Sequence, residues 1–194
     1  MIKYFALYLS IIALVALVSP TSSLAKELSL FDGKSVVRLH SKMKLSGKTK
    51  QAYKTEFRKN EYYAAFAASP VGVFFFMGQF NDIKSAYRDT LRMCRALLTP
   101  GESDCVIYAS IIPSDYKENN NITLSKPTTD FYLYYKKQPG HKAFAINPHY
   151  SNLTRDYDTK REAISRALLL CNTKAKAKTP RSIKVKKCEI VSAE

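Results

Sequence analysis

The sequence predicts an exported α+β protein made of two repeated disulfide-stapled modules, each a small antiparallel sheet with one packed helix. Three features carry that expectation: an apolar leader, four cysteines that all lie behind it, and one stretch of residues written twice.

The leader occupies residues 1–25. Lys3 supplies a positive start, Tyr4 to Val18 is apolar apart from Ser10, and Ser23-Leu24-Ala25 offers small residues for cleavage. The 15 residues of that run fall short of the roughly 20 needed to span a bilayer, and Pro20 follows. A signal peptide with a mature start at Lys26 is expected, and with it a periplasmic or secreted location.

Residues 26–52 form a basic N-terminal segment. The whole chain carries a formal charge of +15. Much of the surplus sits at residues 26–60 and again near the end of the chain, and a field of that kind favours polyanionic partners.

The two copies are placed at 53–113 and 131–194, with a polar linker at 114–130. AAFAASP at 64–70 matches KAFAINP at 142–148, and the match extends backwards so that Phe57 meets Tyr135 and Arg58-Lys59 meets Lys136-Lys137. Further on, Ala86, Leu91 and Cys94 correspond to Ala163, Leu168 and Cys171, and each copy ends on a cysteine followed by an apolar run, CVIYASI or CEIVSA. Recurrence in this order reads as an internal duplication.

Within each copy, the aromatic segment before the basic pair and the Ala-Phe-Ala segment after it read as a strand, a turn and a strand. VFFFMG at 73–78 reads as a third strand, and HYSNLTRDYD as its shorter or more solvent-facing counterpart. Ile83, Tyr87, Leu91, Cys94 and Leu98 recur at helical spacing behind Asn81 or Asp82 as N-cap. Thr159 and Glu162 form a capping box for the second helix, whose Cys171 is expected near the C-terminus.

Cys94, Cys105, Cys171 and Cys188 contain no Cys-x-x-Cys, which disfavours a redox motif, and their spacings do not suit a zinc knuckle. An even count in an exported chain reads as disulfides. Three pairings are open; because the duplication repeats a pair within each unit, Cys94 with Cys105 and Cys171 with Cys188 are favoured.

AFAASP, AYRDTLRMC and CVIYA, with AFAINP, AISRALLLC and CEIVSA as the second set, resemble small exported modules of unknown function in proteobacterial envelope proteins. The resemblance implies a tandem envelope module and carries no assigned chemistry.

No HExxH, GxSxG, P-loop or dinucleotide pattern occurs, so no catalytic residue, metal ligand or cofactor is assigned. His141 and His149 read as surface positions at the two ends of a strand. Asp156 and Asp158 read as negative charge placed at a helix N-terminus. The candidate binding residues are cationic: Arg58, Lys59, Lys136 and Lys137 as two matched turns, and Lys174, Lys176, Lys178, Arg181, Lys184, Lys186 and Lys187 in a loop between helix and last strand. Lys84, Arg88, Arg92 and Arg95 form a further stripe on the first helix. The expected function is non-catalytic binding of an acidic envelope polymer, lipid headgroup or protein, with nucleic acid a poor expectation outside the cell. The alternative is a secreted effector or inhibitor that binds another protein through an aromatic surface.

Overall fold

The computed structural model describes residues 28–118 and 122–194. The expected signal peptide and the start at Lys26 lie outside the described residues. The class is α+β, with antiparallel sheets, four α-helices and two disulfides among the described residues.

The first unit opens with β1 (Leu28–Ser29) and β2 (Ser35–Leu39), then α1 (Gly47–Thr55) and a 3-10 turn at Phe57–Lys59. β3 (Ala64–Ala68), β4 (Phe74–Met77), α2 (Ile83–Arg95) and β5 (Val106–Pro113) follow. The second unit consists of β6 (Ile122–Thr123), α3 (Lys126–Lys136), β7 (His141–Ile146), β8 (Ser151–Tyr157), α4 (Lys160–Lys178) and β9 (Glu189–Ala193). The first sheet has the order β2-β5-β3-β4 and the second β8-β7-β9. β1 pairs in parallel with β6 and so ties the start of the first unit to the second.

Both sheets place their Ala-Phe-Ala strand in the middle, hairpin it to the next strand, cross over through a helix and return antiparallel on the other side. The register shifts between Phe66 and Ala67 in one unit and between Phe144 and Ala145 in the other, at matching positions. Alternation along the central strand sends Phe66 and Phe144 to one face and their flanking alanines to the other. α2 and α4 cover the alanine face, where a small side chain lets helix and sheet approach closely.

The segment before each basic pair is helical, not a strand, so each sheet carries two helices in place of one. In α1, Ala52 and Tyr53 pack with Phe57 under Phe66. In α3, Pro127 stands in the first turn behind Ser125 as N-cap, which favours a helix start. Thr128, Phe131, Tyr132 and Tyr135 then fall at steps of three and four, so aromatic content misled where spacing was informative. The segment boundaries shift accordingly: β2 of the basic segment is a strand of the first sheet, α1 crosses residue 52, and the linker holds β6 and the start of α3.

The caps are as expected. Asp82 accepts a 2.7 Å hydrogen bond from Ser85 N, and Thr159 accepts one of 3.2 Å from Glu162 N. α4, however, runs on to Lys178, which puts Cys171 in its middle. Alanine and lysine in NTKAKAK are good helix formers, and Ala175 continues the buried stripe of Ala163, Ala167 and Cys171. β8 is longer than β4, seven residues against four, and its far end is solvent-facing. Asp156 lies in β8 at φ 61, where Gly140 passes so close that a Cβ there would sit 3.0 Å from Asp156 Cα; it does not serve a helix N-terminus.

Cys94–Cys105 and Cys171–Cys188 are the bridges formed, each joining a crossover helix to the residue before the returning strand. They place the protein in an oxidising, non-cytoplasmic location. Among the described residues, no helix is long and apolar enough to cross a membrane.

Candidate functional site

The two units meet where the turn after β7 and the start of α2 converge. Asn81, buried just before the Asp82 cap, organises the contact. Its backbone N–H donates to Pro148 O at 2.8 Å and its side-chain amide to Asn147 O at 2.9 Å. Its Oδ1 accepts from both Ser125 N and Ser125 Oγ, at 3.1 and 3.0 Å. Asn147 in turn donates to Lys186 O at 3.2 Å, which holds the return to β9 against the same junction.

Beside these bonds lies a cleft of about 390 Å³ lined by Tyr63, Tyr116 and Ile146 together with Lys84, Lys186, Lys187, Asp82 and Glu189, and Lys186 Nζ stands 3.9 Å from Asp82 Oδ2. Burial pushes the Tyr63 hydroxyl up to about 12 although it hydrogen-bonds Thr123, so the ring stays neutral at any ordinary pH. A second cavity of about 510 Å³ shares Tyr63 and Tyr116 and adds Tyr62, whose hydroxyl accepts from Asp32 N at 3.1 Å.

His149 is not a surface position. Its side chain is 14% exposed, packs on Phe80 with ring centroids 4.6 Å apart, and places Nε2 2.8 Å from Asp89 Oδ2. Asp89 is on α2, fully buried, and also takes a two-pronged contact from Arg88 at 2.6 and 2.7 Å. Burial pushes the Asp89 carboxyl up, but the hydrogen bonds from His149 and Arg88 outweigh it and hold the group below the ordinary carboxylate value. The histidine and carboxylate therefore meet inside the junction and outside the cleft. His141 stands exposed at the opposite end of β7, about 20 Å of strand away.

A second pairing also escaped the sequence. His40 Nε2 lies 2.8 Å from Ser110 Oγ, and the Tyr87 hydroxyl is 3.1 Å from the same nitrogen and donates to Ser110 Oγ at 3.0 Å. Burial, and then Arg38, lowers the His40 pKa from its ordinary value. Ser110 is fully buried in β5, so its hydroxyl is closed to a substrate as it stands, although His40 itself is exposed. Among the described residues, no group of three His, Cys, Asp or Glu is placed to hold a metal ion.

The cationic candidates separate into three places. Arg58 and Lys59 end the 3-10 turn after α1, and Lys136 and Lys137 end α3, so both pairs complement helix C-termini and are not hairpin tips. Glu61 lies within Coulombic reach of Lys126 at the start of α3, and about 15 Å of helix separates that start from Lys136. Arg58 and Lys59 belong to the first unit and Lys136 and Lys137 to the second, and Lys136 is engaged by Glu194. Lys174, Lys176 and Lys178 are on α4, while Arg181, Lys184, Lys186 and Lys187 follow on the return to β9; only the last two reach the cleft. On α2, Lys84 pairs with Glu118 at 3.2 Å, Arg88 with Asp89 and Arg95 with Asp104, both at 2.6 Å, so most of that stripe serves local ion pairs.

Fold and junction together define a disulfide-stapled α+β protein of two main sheets with a cleft of mixed polar and apolar lining at their junction. No family model, curated protein or solved structure matches the chain.

Proposed function

We propose that the protein is an exported, non-catalytic binding protein of a bacterial envelope or secretome that takes an acidic partner, an anionic polymer before all. The observation that carries this is the gathering of Lys84, from one unit, with Lys186 and Lys187, from the other, on one cleft, continued outward by the exposed Lys184 and Arg181. With a formal charge of +15 on the chain, long-range attraction adds to local contact. That Ser110 and Asp89 are fully buried supports a non-catalytic reading, since neither the hydroxyl nor the carboxylate meets solvent. The tandem envelope-module reading, with its duplication, is supported by the shared topology and the matching register shift of the two sheets.

The test uses heparin as a model polyanion and a variant with Lys184, Lys186 and Lys187 changed to glutamine. Binding is expected to weaken steeply as salt rises. The variant is expected to bind about tenfold more weakly at low salt, each exposed contact contributing roughly 0.5 kcal/mol. Undiminished, salt-insensitive binding by the variant overturns the reading.

A further inference from the structure

The outer edge of the first sheet holds an open strand. β2 is the end strand of that sheet, and all five of its residues are exposed. Its pairing with β5 runs without a shift from Ser35 opposite Pro113 to Leu39 opposite Ala109. The flanking bonds fix which backbone groups are used: Ser114 N donates to Lys34 O at 3.1 Å, and His40 N donates to Tyr108 O at 2.8 Å. Antiparallel pairs alternate between bonded and non-bonded, so residues 34, 36, 38 and 40 bond to β5, while Ser35, Val37 and Leu39 turn their N–H and C=O outward. Pro113, which has no N–H, stands opposite Ser35, a non-bonded position, in agreement with that assignment.

Edge strands are normally blunted by proline, a bulge, an inward charge or a covering segment. β2 has neither proline nor bulge, and among the described residues no strand pairs with its outer side. Its one charge, Arg38, is laid over the Tyr116 ring at 5.8 Å. Val37 and Leu39, the residues with outward backbone groups, are 37% and 61% exposed. From Gly33 to Thr55 the chain has seven Lys and Arg and no Asp or Glu. A second copy of this strand would add like charges to like, whereas acidic side chains would be matched.

We propose that the outer edge of β2 is a docking site for an extended acidic peptide segment of another protein, which adds as a fifth strand. Main-chain bonds to Ser35, Val37 and Leu39 hold it, apolar side chains at alternate positions cover Val37 and Leu39, and carboxylates between them meet the surrounding lysines. This rests on backbone geometry, and it stands whether or not the cleft takes a polyanion.

The test uses the oxidised protein and a capped seven-residue peptide alternating glutamate and valine, labelled for fluorescence anisotropy. Val37→Pro removes an outward N–H and leaves the β5 ladder in place. It is expected to lower peptide affinity by about tenfold or more with an unchanged near-UV circular dichroism spectrum and unchanged heparin binding. A second arm needs no variant: peptides N-methylated on one or the other alternate set of amides are compared, and one set is expected to abolish binding while the other leaves it. Equal binding by both methylated peptides overturns the proposal, as does no binding of the parent peptide at low salt. Self-association of the wild type that Val37→Pro abolishes, without peptide binding, assigns the edge to a second copy and also overturns it.

Discussion

Around Phe66 five aromatic rings close in, from Tyr53, Phe57, Phe74, Phe76 and Tyr108; around Phe144 there are three, from Phe131, Tyr132 and Tyr135. The two units share a topology, yet they fill it differently. The first draws its rings from both neighbouring strands as well as from the helix, so its outer layer is stitched across the sheet. In the second, β8 offers Leu153 opposite Phe144 and β9 offers Ser192, and α3 alone supplies the rings. On the other face, α4 presents mostly alanine. The same strand order is compatible with both fillings; how firmly each unit holds depends on what surrounds its central phenylalanine.

The largest expected effect separates the units directly. Phe66→Ala and Phe144→Ala each delete a fully buried ring, a change that costs about 3–5 kcal/mol. Phe66→Ala is expected at the top of that range and Phe144→Ala at the bottom, read from urea denaturation of the oxidised protein. The reverse order would break the comparison.

Next come the bridges. They close loops of similar length, with separations of 11 and 17 residues, so the chain-entropy argument assigns each about 3 kcal/mol. Against the weaker background of the second unit, replacing Cys171 and Cys188 by alanine is expected to open β7–β9 as a separate early transition in hydrogen exchange. Replacing Cys94 and Cys105 is expected to lower stability without such a split. A single shared transition in both variants would show that the junction makes the units one cooperative body.

The smallest effect sharpens the junction itself. Asp89→Asn keeps the shape but weakens the charge-assisted bonds to Arg88 and His149, an expected loss of about 2 kcal/mol at neutral pH. The sign with pH follows from the lowered carboxyl: the contribution of Asp89 is fully present above its unfolded value, near 3.9, and is lost as pH falls through the lower folded value. The gap between wild type and variant should therefore close in acid. A gap that is constant down to the acid transition would remove Asp89 from the account.

Much of each unit was legible because the signals are local. The Asp82 and Thr159 caps and the central Ala-Phe-Ala strands follow from patterns within some twenty residues, and Cys94 with Cys105 and Cys171 with Cys188 from the recurrence of a cysteine pair in each copy. α1 and α3 are obscured in the sequence for a local reason as well: aromatic residues suit strands, and in FYLYY that preference hides a helical period. The extension of α4 through NTKAKAK was hidden by charge, since a run of lysines suggests a solvated loop although alanine and lysine favour a helix.

The sequence by itself determined the positive balance and pointed to the stapling, because charge and the recurrence of a cysteine pair can be read without a fold. Only the tertiary structure decided what the units share and what they leave open. Asn81 finds Asn147 across 66 residues and Asp89 finds His149 across 60, and no period in the chain announces either. The outward row of β2 is equally silent in the sequence, since the same alternating residues would read alike in a covered strand. Which backbone groups remain unpaired depends on where a strand falls in the sheet order, and that order is set by packing between distant parts of the chain.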